Sequence, residues 1–241
     1  MPARRATAIT GIDMAAPLDL VEVVGRMPYA SNTTLLALDA EGCHWIYKPE
    51  RGEEPLWDFP YGTLSRREIL AYEISTAMGL DIVPRTVEAE GVFGPGSAQQ
   101  FIDEDVDYDP RPLYTPRLSE RLWPFAVFDI VANNADRKIG HVLREMGTGR
   151  LWAIDNGLTF HAHDKLRTVM WGFAGTPIPA ALLEGVERLA ARLEDDLADR
   201  VADLLSGSEA GALIARVTDL LDRPIHPEPP QDRPPVPWPV W

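Results

Sequence analysis

Cysteine is nearly absent: the 241 residues hold one, Cys43. A single thiol cannot close an internal disulfide, which excludes a disulfide-stapled secreted scaffold and accords with a reducing compartment. Long apolar runs are missing too, and no stretch approaches the ~20 residues that a transmembrane helix needs. Arg4 and Arg5 are followed by Ala, Thr, Gly and Asp13, without the apolar core of a signal peptide. The expected location is the cytoplasm, with no integral membrane association. Positive charge is also scarce. There are 23 Lys and Arg against 37 Asp and Glu, for a net charge of -14. An acidic surface repels a phosphate backbone, so nucleic acid is not an expected partner. A local pocket can still oppose the global field and hold a phosphate-bearing ligand. Many of the carboxylates fall in 103–109 and 184–203, the pattern of solvated surface.

What is present is an ordinary globular composition, 45% hydrophobic and 25% charged. Residues 19–24 alternate apolar and polar as a half-buried strand does, and Gly25 is expected to end it. Leu35–Leu38 and Cys43–Tyr47 follow, separated by a turn at Glu41-Gly42, and the three predict an antiparallel meander that delivers Lys48. Residues 50–62 read as an insertion loop. The spacing of Ile69, Leu70, Ile74 and Met78 predicts a helix over 63–79, with Ser65 and Glu68 at capping-box spacing and Gly79 as its C-cap. Two more strands are expected at 82–88 and 98–102.

The acidic, proline-broken stretch 103–116 reads as a boundary between two parts. Residues 117–132 predict a buried helix, followed by the polar loop 133–140 and a hairpin of 141–144 with 151–154. Two or three amphipathic helices are expected within 178–222, broken at Gly207 and Gly211. The tail 224–241 holds eight prolines in eighteen residues and cannot be helical. It is expected to lie extended or disordered, with Trp238 and Trp241 docking on the protein's own surface.

Phosphoryl transfer needs a cation on the phosphates, an acid to hold that cation, a metal-binding carboxylate and a group that positions the attacking hydroxyl. Lys48 at a strand end, Glu68 on the next helix, and two loop aspartates, Asp136 and Asp155, stand in that order. Taken singly, each has a plainer reading. Lys48 is a common strand-end residue, Glu68 suits a helix N-terminus, and Asp136 and Asp155 both suit turns. Glu73, on another face of the same helix, is the reserve partner for Lys48. It is the shared order and spacing that points to chemistry.

In four segments the chain resembles the phosphoinositide 3-/4-kinase-like branch of the protein-kinase superfamily, and it is similar to the bacterial HipA-type kinases. The segments are Tyr47-Lys48-Pro49; Arg67-Glu68-Ile-Leu-Ala-Tyr72 with Gly79-Leu-Asp-Ile-Val-Pro84; Asn134-Ala-Asp136-Arg137; and Ile154-Asp155-Asn-Gly157. The resemblance implies an α+β, two-lobed protein-kinase-like fold with an antiparallel-sheet N-lobe and a mainly helical C-lobe. It divides the chain into an N-lobe at 1–102, a linker at 103–116, a C-lobe at 117–223 and the Pro-rich tail at 224–241. It implies that 25–33 covers the phosphates, with Ser31 and Asn32 as donors, and that Lys48, oriented by Glu68, contacts them. Adenine would meet 99–102, including Gln100, Phe101 and Ile102. Asp136 would position or deprotonate the acceptor hydroxyl, and Asp155 would bind Mg²⁺ or Mn²⁺.

The sequence departs from the family pattern at three places. Five residues after Asp136 the family has a metal-binding Asn, and here stands His141, an imidazole better suited to Mn²⁺ than to Mg²⁺. Lys138 occupies a position where the branch often has His. The usual Asp-Phe-Gly is Asp155-Asn156-Gly157. The expectation is an ATP-dependent phosphotransferase acting on a hydroxyl of a small molecule or protein. The alternative is a nucleotide-binding pseudokinase with a regulatory role. Third comes a metal-dependent hydrolase built from Asp136, His141, Asp155, His161 and His163.

Overall fold

The structure is a computed structural model that describes residues 16–28 and 32–241. Five strands close into a barrel in the order β1-β2-β3-β5-β4. They are β1 (Leu18–Arg26), β2 (Leu35–Asp39), β3 (His44–Pro49), β4 (Thr86–Gly91) and β5 (Gly94–Gln100). The first three form the antiparallel meander, and β1 closes on β4 in parallel. Alternation along β2 and β3 turns Leu35, Ala37, Trp45 and Tyr47 inward, where they pack with Leu20, Ala89 and Ala98. Lys48 lies on the opposite face of β3 from Trp45 and Tyr47. Close approach of β5 beside it requires Gly96, because a Cβ there would stand 2.3 Å from the Lys48 carbonyl oxygen.

Several boundaries differ from expectation. β1 runs through Gly25 to Arg26. The strands expected at 82–88 and 98–102 are the β4–β5 hairpin, closed by Gly91 opposite Gly94. Ile82 and Val83 are core residues instead, their N–H groups donating to Ser75 Oγ at 3.2 and 3.4 Å. Pro84, with no N–H to give a ladder, separates them from β4.

Helix α1 (Leu64–Ala77) packs against the barrel on one side and the helical part on the other. Its N-terminus lacks the expected Ser65–Glu68 capping box. Glu53 of the preceding loop accepts from Leu64 N and Ser65 N at 3.0 and 3.2 Å, so Glu68 is not drawn into capping and faces Lys48. After a short α2 (Arg111–Tyr114), α3 spans Trp123–Ala132 rather than beginning at 117. Pro124 explains the late start, since a missing N–H costs nothing in the first helical turn.

The hairpin pairs β6 (Val142–Arg144) with β7 (Leu151–Ala153). The chain then forms α4 (Ala180–Leu193), α5 (Ala198–Leu204) and α6 (Gly207–Asp222). Gly207 opens α6, but Gly211 lies inside it and breaks nothing. A capping box between Ser206 and Glu209 sets the start of that helix. Apolar side chains of α1, α3, α4 and α6 share one large core, giving a mixed α+β chain with a sheet-rich first part and a helical second part. The proline-rich tail is extended and packed on the protein, not loose. Among the described residues no helix is long and apolar enough to cross a membrane.

Candidate functional site

Lys48 is brought to the site by β3, whose pairing to β5 sets it opposite Ser97. Its Nζ donates to Glu68 Oε1 and, at 2.9 Å, to Asp155 Oδ1. Glu68 Oε2 accepts from Asn156 N at 3.0 Å, so one buried carboxylate holds both the lysine and the backbone after Asp155. Burial alone would lower the Lys48 pKa, yet Asp155 and Glu68 outweigh it and hold the ammonium well above its ordinary range. Lys48 in turn keeps the Asp155 carboxyl far below the usual carboxylate range. Glu73 plays no part here: it pairs with Arg200 at 3.0 Å on another face of α1.

Asp155 follows β7 with φ +57°, a left-handed conformation uncommon for a residue with a side chain. Its Oδ2 lies 3.4 Å from His141 Nε2. Burial lowers the His141 pKa against the pull of Asp155, which keeps the imidazole neutral near pH 7, and its Nδ1 has no hydrogen-bond partner among the described residues. Asp136 belongs to the same neighbourhood. Its Oδ2 takes the Lys138 ammonium at 3.0 Å, and its backbone N donates to Asn134 Oδ1 at 2.9 Å.

Beneath these side chains lies a polar scaffold that sequence reasoning missed. Arg137, with no exposed surface, donates to Asp129 Oδ1 (3.0 Å), Asn156 Oδ1 (2.7 Å) and Ile154 O (2.9 Å). Asp129 also accepts from Asn134 Nδ2 (3.1 Å) and Thr168 Oγ1 (2.9 Å). Every group in this network has a partner, which makes it rigid and ties the Asp136 loop to the Asp155 loop. Asn133, the left-handed C-cap of α3, adds a second tie by donating to the carbonyls of His161 and His163. One signal was available: Asp129 is the lone charge in the helix Trp-Pro-Phe-Ala-Val-Phe-Asp-Ile-Val-Ala.

The remaining expected positions are less simply placed. Ser31 lies outside the described residues, as do Arg4, Arg5 and Asp13. Asn32 spends its side-chain oxygen on Glu54 N at 2.8 Å. Gln100 N donates to Arg85 O (2.7 Å) and Phe101 N to His44 O (3.2 Å), because barrel-type pairing persists past the end of β5. Those two amides are therefore engaged within the protein, and Ile102 is buried beside them. His161 and His163 do not join the aspartates. His161 Nε2 contacts Asp58 O at 3.0 Å and its ring packs edge-on to Phe59, while the two imidazoles neighbour each other. Among the described residues no group of three or more His, Cys, Asp and Glu side chains is gathered in a way that could hold a metal ion.

A lysine clamped by two carboxylates from different elements, next to a second loop aspartate, is equipped to bind a polyphosphate and direct a hydroxyl. Comparison with solved structures agrees on architecture. The chain superposes with a TM-score of 0.53 on the Helicobacter pylori proinflammatory kinase CtkA, covering 87% of this chain and 95% of that one at 12% identity. With the Golgi casein kinase crystallised with Mn/ADP the TM-score is 0.54, covering 86% of this chain and 72% of that one at 10% identity. At such identities the likeness shows the fold, which is protein-kinase-like. No protein-family model matches the sequence. In sequence the chain is 40% identical over 256 residues to Protein Rv2133c of Mycobacterium tuberculosis, covering 91% of each. The chain belongs to the same family as Protein Rv2133c.

Proposed function

We propose that this protein is an ATP-dependent phosphotransferase that moves the γ-phosphoryl group to a hydroxyl of a small molecule or a protein. The observation that carries the reading is the Lys48 ammonium held between Glu68 and Asp155 on a kinase-like fold. In this reading the barrel and α1 form an N-lobe, residues 103–116 join it to a C-lobe at 117–223, and nucleotide lies between them. The four motif segments support placement in the phosphoinositide 3-/4-kinase-like, HipA-related branch. The lone cysteine supports a cytoplasmic setting.

Lys48 would meet the phosphates, and Glu68 would hold it in place. Asp136 would accept or orient the acceptor proton, while Lys138, already on its carboxylate, would sit where charge gathers on the transferring group. ATP and a divalent ion, when bound, supply the phosphoryl group and neutralise its charge. Asp155 and His141 have the chemistry to hold that ion: a carboxylate kept ionised by Lys48 faces an imidazole kept neutral by burial. One hard and one borderline ligand suit Mn²⁺ at least as well as Mg²⁺. That the Golgi casein kinase was crystallised with Mn/ADP supports the pairing of a nucleotide with a divalent ion.

A second reading, a pseudokinase that binds nucleotide without efficient turnover, is favoured by His141 and by the engaged amides of Gln100 and Phe101. The hydrolase reading has less support, because His161 and His163 face the loop at Asp58 and Phe59. Thermal unfolding with ATP and a panel of divalent ions separates the readings. Ligand at ~100 times its dissociation constant adds about 2.7 kcal/mol of stability. Stabilisation with ATP consumption supports the kinase, stabilisation without consumption supports the pseudokinase, and no shift with any nucleotide refutes both.

A further inference from the structure

We propose that the C-terminal tail, Arg233–Trp241, is a positioning element of the catalytic loop, acting through the Val240 carbonyl; this rests on the phosphotransferase reading above. Val240 O accepts from Ile139 N at 2.9 Å, and Ile139 lies midway between Asp136 and His141. The next residue, Gly140, is so close to the tail that a Cβ there would stand 3.8 Å from the carbonyl carbon of Trp241. The last two residues of the chain therefore lie against the segment that joins two of the site's side chains.

The same tail grips the opposite partner of that loop. Pro235 O accepts from Thr168 N at 3.1 Å and from Trp171 Nε1 at 2.7 Å. Thr168 is bridged to Arg137 and donates to Asp129, so it belongs to the buried scaffold under Asp136. Arg233 pairs with Asp164 at 2.7 Å, three residues before Arg167, whose backbone N and Nε donate to Asn134 O and Ala135 O. One strand of tail thus stitches the 164–171 segment to the 136–141 loop.

The composition suits the task. Proline offers a carbonyl but no N–H, and its fixed φ keeps an extended strand stiff, so a proline-rich strand accepts hydrogen bonds without competing to donate them. The tail is rooted by His226, which is 1% exposed and packed among Trp123, Trp171 and Phe173. That root lies ahead of Arg233, so shortening the chain at its end leaves the anchor in place. Displacing a reacting group by an ångström lowers rates by on the order of 100-fold, which sets the size of effect that a lost loop contact produces.

The test compares the full chain with a chain ending at Pro239, with Arg233→Ala as a milder variant and Val92→Ala, exposed in the β4–β5 turn away from the tail and the site, as a control. Amide exchange at Ile139, thermal shift with ATP and Mn²⁺, and ADP release with its KM for ATP are measured on each. In the shortened chain Ile139 exchanges at least about tenfold faster, because its acceptor is gone. Turnover falls by roughly 10- to 100-fold while the KM for ATP and the thermal shift hold. Arg233→Ala moves the same way by less, and Val92→Ala behaves as the full chain. A merely structural tail would lower the melting temperature and leave turnover of the folded fraction unchanged, and that result overturns the proposal. So does a rise in turnover, which would make the tail a cover. Failure of the untruncated 241-residue chain to bind any nucleotide refutes the kinase reading and the tail's role with it. An Ile139 amide that exchanges equally fast in both chains overturns the tail contact alone.

Discussion

Lys48 Nζ and Asp155 Oδ1 stand 2.9 Å apart although 107 residues separate them in sequence. The pair joins the barrel to the loop after β7, and Glu68 completes it from α1. Three elements meet at one ammonium. In the proposed function, phosphate oxygens and Asp155 would compete for this one donor.

Asp155→Asn is therefore expected to weaken nucleotide binding in the presence of metal by at least about tenfold, because it removes the charged oxygen ligand. Binding of nucleotide without metal should change little, or tighten, as Lys48 loses a competitor. Titration of the variant with ATP, with and without Mn²⁺, checks this. Equal affinity with metal in both proteins would remove Asp155 from the site.

Asp136→Asn should behave differently. Asp136 contacts Lys138, not Lys48, so nucleotide affinity should be preserved while turnover falls by on the order of 10²–10⁴-fold, the usual contribution of a general base. Steady-state kinetics with an unchanged KM for ATP is the expected pattern. Loss of binding equal to that in Asp155→Asn would show that the two aspartates do not divide the work.

Asp129→Ala tests the scaffold. It leaves the Arg137 guanidinium buried without its carboxylate, a situation that costs about 3–5 kcal/mol. Chemical denaturation should report a loss of that size. A loss below about 1 kcal/mol, the range of an exposed pair, would mean that solvent reaches Arg137.

The four motif segments were legible in sequence because each needs its residue type at a fixed place on one element: a lysine on a strand, a glutamate on the next helix, an aspartate after a buried helix, another after a hairpin. The α+β fold class followed from the resemblance those segments carry. What escaped was whatever depends on contacts between distant segments. The Ser65–Glu68 spacing met the capping-box pattern, but Glu53, eleven residues before Leu64, took the helix end. A strand was expected from residue 82, yet Ser75 claimed the N–H groups of Ile82 and Val83, and β4 begins at Thr86. Gly211 looked like a break and sits in α6, where the Ser206–Glu209 cap and the leucine face outweigh one glycine's ~1 kcal/mol penalty. The tail's proline count forbade helix but carried no information on what Pro235 and Val240 would meet.

His141 gives the sharpest test of the proposed metal assignment, because its chemistry differs in two measurable ways from the Asn of the kinase branch that the sequence resembles. An imidazole binds metal only when neutral, so affinity for the ion must fall as His141 is protonated. Burial depresses its folded pKa below the ordinary 6.5, against the opposing pull of Asp155. The sign follows: the neutral, ligand-competent form is fully present above pH 6.5 and is lost only as pH falls through the depressed value. Mn²⁺ affinity of the nucleotide complex should thus decline as pH falls, with a midpoint under 6.5. An amide does not titrate, so His141→Asn should abolish this decline until carboxylates begin to protonate. It should also raise the ratio of Mg²⁺- to Mn²⁺-supported turnover, since an amide oxygen is the harder ligand. The rival view has His141 only bonding Asp155 or a phosphate as a donor. In that case the substitution leaves the ion ratio unchanged, and the pH profile of metal affinity is the same in both proteins. A midpoint above 6.5, or an unchanged ratio, would take His141 out of the metal site and leave Asp155 as its protein ligand.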